Sequence, residues 1–287
     1  MVNFEAVLTE RAHSPMEGKV PFVLSGDPVE SVKELQKRHI RAVSLANNHS
    51  MDYGEDGLRD TLEAFRKGGI HTLGDGLDAA EAEAPLTLSA GGRKVIFLAA
   101  YWHLPSRHEC GYYAMPGKGG AACIWEGFYA GITRLREVNQ EAIIIVLPHW
   151  GRDYVAPLPV MRGIAEQIIA AGADMIIGHG SHTISPVEYQ RGKPVIYSLG
   201  NFVFNSNGAD FMRKNSLVYG FVCRLLLGAK GVALRLYPIY TYNPKTFWQP
   251  HPASAEQCSE IAAFLRKGGL DSAVEKDELG HFFPVPL

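Results

Sequence analysis

The chain has 287 residues, 46% of them hydrophobic and 20% charged, and a formal net charge of −2. That balance describes an ordinary globule with ample material for a core, and its scattered basic residues leave no electrostatic footprint for nucleic acid. No apolar run approaches the roughly 18–20 residues needed to span a bilayer, and the amino terminus lacks the basic-then-apolar pattern of a signal peptide. Cys110, Cys123, Cys223 and Cys258 are far apart and form no C-x-x-C pair, so they read as isolated thiols rather than a disulfide framework.

Taken in chain order, helical and β-like patterns alternate, which predicts α/β layering. Residues 28–38 read as a helix with Asp27 as N-cap, Pro28 at the first position and Glu30 in the first turn. A strand over 41–46 runs into Asn47-Asn48-His49. A second helix spans about 55–67 and stops at Gly68-Gly69. Short strands are expected near 70–73 and 94–101. Residues 102–123, rich in Gly, aromatics and His without periodicity, read as a long surface excursion. A helix near 126–140 leads to a strand over 142–147, and a helix over 158–171 leads to a strand over 174–177. Residues 187–199 read as a hairpin, followed by β-rich runs over 217–227 and 231–239 and a final helix over about 254–267. The expected organisation is one domain over 1–242, with 243–287 as a helical extension packed on it.

Three of these apolar runs finish in the same way. Ala42–Ala46 is followed by Asn47-Asn48-His49, Ile143–Leu147 by Pro148-His149, and Asp174–Ile177 by Gly178-His179-Gly180-Ser181-His182. A single His closing a strand is usually a loop residue bonded to backbone. Three strand ends that each deliver His or Asn point to a shared metal centre, because neutral imidazole is the commonest protein ligand for a transition ion. His149, His179 and His182 are the expected imidazole ligands, and such a donor set suits Mn, Zn or Fe and disfavours an all-oxygen Ca site. Asn48 is a candidate amide ligand. His49, one residue on, is a candidate general acid or substrate-orienting group, with Asp52 beside it in the catalytic set. Arg152 and Tyr154, just past His149, are candidate binders of an anionic substrate, and Asn201 is expected to buttress the metal loop through its amide. The chain has no G-x-S-x-G elbow and no P-loop, so serine-hydrolase and nucleotide-kinase readings lack residues.

Four ordered motifs carry a family resemblance: Ala46-Asn47-Asn48-His49-Ser50-Met51-Asp52-Tyr53-Gly54, His149-Trp150-Gly151-Arg152-Asp153-Tyr154, Gly178-His179-Gly180-Ser181-His182 and Tyr197-Ser198-Leu199-Gly200-Asn201-Phe202. Over roughly residues 2–205 the chain resembles the CapA family, which is associated with poly-γ-glutamate capsule synthesis and is similar to the calcineurin-like metallophosphoesterases. The resemblance implies a four-layered α/β/β/α sandwich with a two-metal site at the strand ends. It implies Glu5, in Val2-Asn3-Phe4-Glu5, as the carboxylate bridging both ions. Asn48, His149 and His179 would complete one metal, and His182 would serve the other. Relatives also suggest the cell envelope as location, against a cytoplasmic alternative. The implied partners are an anionic polymer or a phosphorylated small molecule, together with other capsule-synthesis proteins.

Two features depart from that pattern. Ser25-Gly26-Asp27-Pro28-Val29-Glu30 mimics a metallophosphatase signature, but Asp27, Pro28 and Glu30 already have a complete explanation as a helix start. The earlier family strand ending in Gly-Asp has no counterpart before Glu5, which leaves the second metal with Glu5 and His182 alone. The expectation is an amino-terminally truncated sequence, because losing that strand would expose ladder groups; the competing explanation is a natural variant with one metal or none. Function therefore divides between a metal-dependent hydrolase acting on a phosphoester or related bond in envelope-polymer metabolism and a non-catalytic relative that binds an anionic polymer or scaffolds its synthesis or export.

Overall fold

The structure is a computed structural model that describes residues 1–228 and 231–287. It has the α/β class expected from the sequence, and its chain divides into two compact units. The first comprises residues 1–88, 96–135 and 146–149, and the second 89–95, 136–145 and 150–287. The strands Arg93–Trp102 and Ile143–His149 each begin in the second unit and end in the first.

In the first unit the strands Val2–Asn3, Ala42–Ser44 and His71–Leu73 form a parallel sheet, with Val2 opposite Val43 and Ala42 opposite His71. Helices Pro28–Lys37 and Gly54–Lys67 provide the connections. Parallel strands require such crossovers, since a tight turn cannot reverse the chain twice. Their apolar faces close a core of Leu8, Val32, Val43, Leu45, Phe65 and Ile70, with Phe4 edge-on to Phe65 at 5.2 Å between ring centroids. Asp27 caps the first helix as expected. Its carboxylate accepts the backbone N–H of Val29 at 2.8 Å and of Glu30 at 2.7 Å, so the metallophosphatase-like signature there is a helix start.

The segment 102–123 departs from the expected surface excursion. It contains the short helix Pro105–Glu109 and the strands Gly120–Ala121 and Cys123–Ile124. Tyr112 and Tyr113 are fully buried. The aromatic and glycine content that reads as a loop in sequence is here the means of packing two tyrosines against the sheet strand, with Tyr101 opposite Cys123 in parallel register.

In the second unit Met175–Ile177 pairs in parallel with Lys193–Ile196, which turns antiparallel to Val187–Gln190. The two-residue turn Arg191-Gly192 has both residues at positive φ, 51° and 75°, the mirror-image turn that matches the twist of a tight hairpin. Helix Pro159–Ala170 buries Met161, Ala165, Ile168 and Ile169. A second, antiparallel sheet pairs Tyr219–Gly228, Gly231–Tyr240, Gly280–Val285 and Glu275–Asp277 in that order. Helix Ala255–Lys267 starts at a reciprocal cap between Ser254 and Gln257. The carboxyl-terminal segment is thus not only helical. Gly280–Val285 is hydrogen-bonded to Gly231–Tyr240, with Phe283 opposite Leu236, and both of those side chains are fully buried.

Candidate metal centre

In the first unit, parallel pairing fixes where the motif residues stand. The Phe4 amide donates to the Ser44 carbonyl at 2.9 Å, so Glu5 lies just past its strand end, beside the end of Ala42–Ser44 from which the Asn-Asn-His segment emerges. Asn47 is fully buried and is the keystone of that segment. Its amide group donates to Asn3 Oδ1 at 3.2 Å and to the Phe4 carbonyl at 2.9 Å, while its own Oδ1 accepts the His49 backbone N–H at 2.9 Å. Asn3 in turn donates to Glu5 Oε2 at 3.2 Å. The outcome is a polar chain from Asn47 through Asn3 to Glu5 that orients the carboxylate. Glu5 Oε1 lies 3.8 Å from His149 Nε2, although the two residues are far apart in sequence. His149 closes the strand Ile143–His149, is 4% exposed, and has the Tyr101 ring edge-on at 5.6 Å.

His49 is oriented separately. Its Nδ1 lies 2.7 Å from Asp52 Oδ2, which also accepts the Leu24 backbone N–H at 2.7 Å. Asp52 Oδ1 accepts the Tyr112 hydroxyl at 3.2 Å. Burial and the neighbouring Asp52 carboxylate raise the Tyr112 hydroxyl above the usual phenol range, so it stays a donor at every working pH. Asp52, expected in the catalytic set, is fully buried with both of its oxygens hydrogen-bonded, and the one that meets His49 requires the imidazole proton on Nδ1. Asn48 is half-buried beside them.

In the second unit the tight sequence Gly178-His179-Gly180-Ser181-His182 is built on Trp150. The Trp150 backbone N–H donates to the His179 carbonyl at 2.9 Å, and its indole N–H donates to the Tyr197 carbonyl at 2.7 Å. A Cβ on Gly178 would stand 2.4 Å from that Tyr197 oxygen and 2.5 Å from the indole nitrogen, so no larger residue fits. Desolvation pushes the His179 ring down to about 4, which keeps it a neutral imidazole at physiological pH. His182 adopts a left-handed backbone with φ 58°, and its Nδ1 lies 2.9 Å from Asn201 Oδ1. An amide oxygen can only accept, so His182 carries its proton on Nδ1 and leaves Nε2 as a lone-pair donor. Asn201 therefore buttresses this histidine. Tyr154 also takes a supporting role, stacked on the His182 ring at 5.6 Å, with its hydroxyl pushed up to about 12 by burial. Phe204 lies on the ring as well, at 4.6 Å. Arg152 is exposed to solvent.

Glu5, Asn48, His49 and His149 belong to the first unit, and His179 and His182 to the second. Carboxylate, amide and neutral imidazole are the donor types a divalent transition ion takes. Among the described residues, no three His, Cys, Asp or Glu side chains form a group that could hold a metal ion; Glu5 and His149 form a pair. Sequence reading missed Asn3, Asn47 and Tyr112, which orient rather than display chemistry. It also passed over Asp75, a buried carboxyl with the Ser50 hydroxyl as a polar neighbour. A signal for Asn47 was available, since Asn at the head of a turn often bonds the backbone two residues on.

Comparison with known proteins gives a consistent picture. The PGA biosynthesis protein CapA of Bacillus subtilis (strain 168) is 32% identical over 191 residues, which cover 66% of this chain and 49% of that protein. The Probable polyglutamine synthesis accessory protein of Mycobacterium tuberculosis (strain ATCC 25618 / H37Rv) is 28% identical over 215 residues, 72% of this chain and 56% of that one. The chain therefore spans about half the length of the curated relatives it matches. A hypothetical protein from Thermus thermophilus superposes with a TM-score of 0.42 at 11% identity, covering 83% of this chain and 88% of that one. That likeness is below the level at which a common fold follows. The model of the family described as "Bacterial capsule synthesis protein PGA_cap" matches residues 1–206, well over half of the sequence, and the chain belongs to that family.

Proposed function

We propose that this protein is a metal-dependent hydrolase of the metallophosphoesterase type that acts in the synthesis of poly-γ-glutamate or another cell-envelope polymer. Family membership supports the polymer, and the names of the Bacillus and Mycobacterium relatives point the same way. The observation that carries the chemistry is the Glu5–His149 pair, 3.8 Å apart, in the unit that also holds the Asp52-oriented His49. Glu5, Asn48 and His149 of the first unit, and His179 and His182 of the second, are the proposed ligand residues, and the ions they suit are Mn, Zn or Fe, one or two in number. Such an ion would supply Lewis acidity and lower the pKa of a water. The chain's own contribution is positional. Asp52 holds the His49 proton on Nδ1, and His49 Nε2 orients a substrate oxygen or, once protonated, gives a proton to a leaving oxygen. Asn201 performs the same service for His182 as a ligand.

The test is metal content after soaking in Mn(II) or Zn(II) and dialysis, alongside hydrolysis of a chromogenic phosphodiester. Wild-type protein should retain metal, and Glu5→Gln or His149→Ala should lose both metal and turnover. Wild-type protein that retains no metal sinks the reading.

A second reading has one observation in its favour: the Mycobacterium relative is named an accessory protein of polymer synthesis rather than a hydrolase. On that reading the chain binds an anionic polymer without catalysis. A Glu5→Ala, His149→Ala double change would then leave polymer production intact, and loss of production dismisses it. Among the described residues no helix is long and apolar enough to cross a membrane. An envelope location is proposed on the relatives' names alone.

A further inference from the structure

Beside the candidate centre, wholly within the first unit, lies a cationic and aromatic cluster that no catalytic role above uses. Arg107, on the short helix Pro105–Glu109, places its guanidinium 4.5 Å over the centre of the Tyr112 ring and interacts with the Tyr101 hydroxyl. Many arginines of this chain meet a carboxylate: Arg11, Arg66, Arg136 and Arg162 do so at 2.8, 2.7, 2.5 and 2.6 Å. Arg107 forms no ion pair among the described residues, not even with Glu109 on its own helix.

Its neighbours form a fixed platform. The Tyr113 hydroxyl is pinned by the Leu104 N–H, which it accepts at 2.8 Å, and by the Trp102 carbonyl, to which it donates at 2.8 Å. The exposed His103 ring stacks on Tyr113 at 5.8 Å and on Trp125 at 6.4 Å. The exposed His108 ring is 5.9 Å from His103. A half-buried guanidinium without a carboxylate, next to two solvent-facing imidazoles on an aromatic wall, has the chemistry of a planar-anion receptor. The cluster also touches the centre. Tyr112 carries Arg107 on its face and hydrogen-bonds Asp52, and Tyr101 lies edge-on to His149.

We propose that Arg107, with His103 and His108, forms an anion subsite of the candidate centre that takes a carboxylate of a polycarboxylate chain and so selects the substrate class. This rests on the reading of the protein as a polymer-processing hydrolase. Arg107 supplies the paired N–H fork, and His103 and His108 supply further ring N–H donors to the same or the next carboxylate. Arg107 is then a specificity-determining residue of the site.

The experiment measures binding of a dye-labelled glutamyl oligomer by fluorescence anisotropy, at low and high salt. A glutaminyl oligomer of equal length and inorganic polyphosphate serve as the two comparison probes. Wild-type protein should bind the glutamyl oligomer in a salt-sensitive manner, well above both comparison probes. Arg107→Gln should weaken it about tenfold or more, the loss of one charge-assisted contact, and Arg107→Lys should recover part of the loss. Arg107→Met keeps the apolar cover over Tyr112 and should bind as weakly as Arg107→Gln, which separates lost charge from lost packing. All three variants should retain wild-type Mn(II) content. Unchanged affinity in Arg107→Gln, equal binding of the glutaminyl oligomer, or preference for polyphosphate overturns the proposal. If the wild type binds no metal yet shows the Arg107 effect, the hydrolase reading falls and the anion subsite stands.

Discussion

The Asp52 network gives the sharpest quantitative expectation. In Asp52→Ala, three donors lose their acceptor together: the Leu24 N–H at 2.7 Å, the His49 Nδ1 at 2.7 Å and the Tyr112 hydroxyl at 3.2 Å. An abandoned buried donor costs about 1–3 kcal/mol. His49 is partly exposed and can turn to water, so the Leu24 and Tyr112 donors dominate and the expected loss is about 3–5 kcal/mol. In Asp52→Asn, the amide oxygen can keep both the Leu24 and His49 bonds. The amide NH2 group then faces the Tyr112 hydroxyl, which can rotate to accept it. Only charge assistance disappears, so the loss should be about 1–2 kcal/mol. Urea denaturation followed by Trp fluorescence measures both. The separation between Ala and Asn, about 1–4 kcal/mol, is the quantity at stake. Equal destabilisation by the two substitutions would refute the assignment of these hydrogen bonds, and so would a negligible effect of both.

Gly178→Ala forces a methyl group into the 2.4 and 2.5 Å gaps to the Tyr197 carbonyl and the Trp150 indole, both parts of buried, hydrogen-bonded structure. It should cost more than about 3 kcal/mol, at the upper end of overpacking penalties, and should change Trp150 emission; a wild-type melting curve would show that this approach is looser than described. Asp75 has its carboxyl pushed well above the usual range by burial, with the Ser50 hydroxyl opposing in part. The unfolded chain ionises Asp75 near its ordinary value while the folded chain holds the proton. Wild-type stability is therefore undiminished by this group at low pH, and the penalty grows as pH rises from about 4 until the folded group itself ionises. Asp75→Asn should thus gain stability relative to wild type between pH 4 and 7, and the gain should vanish below pH 4. Melting temperatures across that range decide it, and a pH-independent difference would count against it.

Local rules made much of this molecule legible. Asp27-Pro28 announced a helix start, Gly68-Gly69 a helix end, and the apolar runs ending in His or Asn marked the strand termini that carry the candidate ligands. What stayed hidden depended on tertiary pairing. Residues 102–123 lack any period because their role is to seat Tyr112 and Tyr113 under neighbouring strands, and no one-dimensional pattern encodes that. The strand Gly280–Val285 was missed because it begins with a glycine, contains Pro284 and exists only through its pairing with Gly231–Tyr240. The hydrogen bonds of Asp52 to Leu24, His49 and Tyr112 were equally hidden, because burial and its partners are properties of the fold.

The same distinction explains the doubled asparagine. Asn47 and Asn48 are chemically identical and adjacent, yet only Asn47 is fully buried. Its amide spans three partners: Asn3, the Phe4 carbonyl and the His49 backbone. Replacing it by Asp would keep the bond to the His49 N–H but turn both donor contacts into oxygen–oxygen repulsion, one of them in the chain that orients Glu5. Asn48 is half-buried and is the proposed ligand of the two. A metallocentre on a strand rim needs both kinds of residue, one to fix the backbone and the carboxylate, the other to face the ion. On the proposed function, Asn-Asn-His places framework, ligand and proton carrier on three consecutive positions, because a turn after a strand directs successive side chains to different sides.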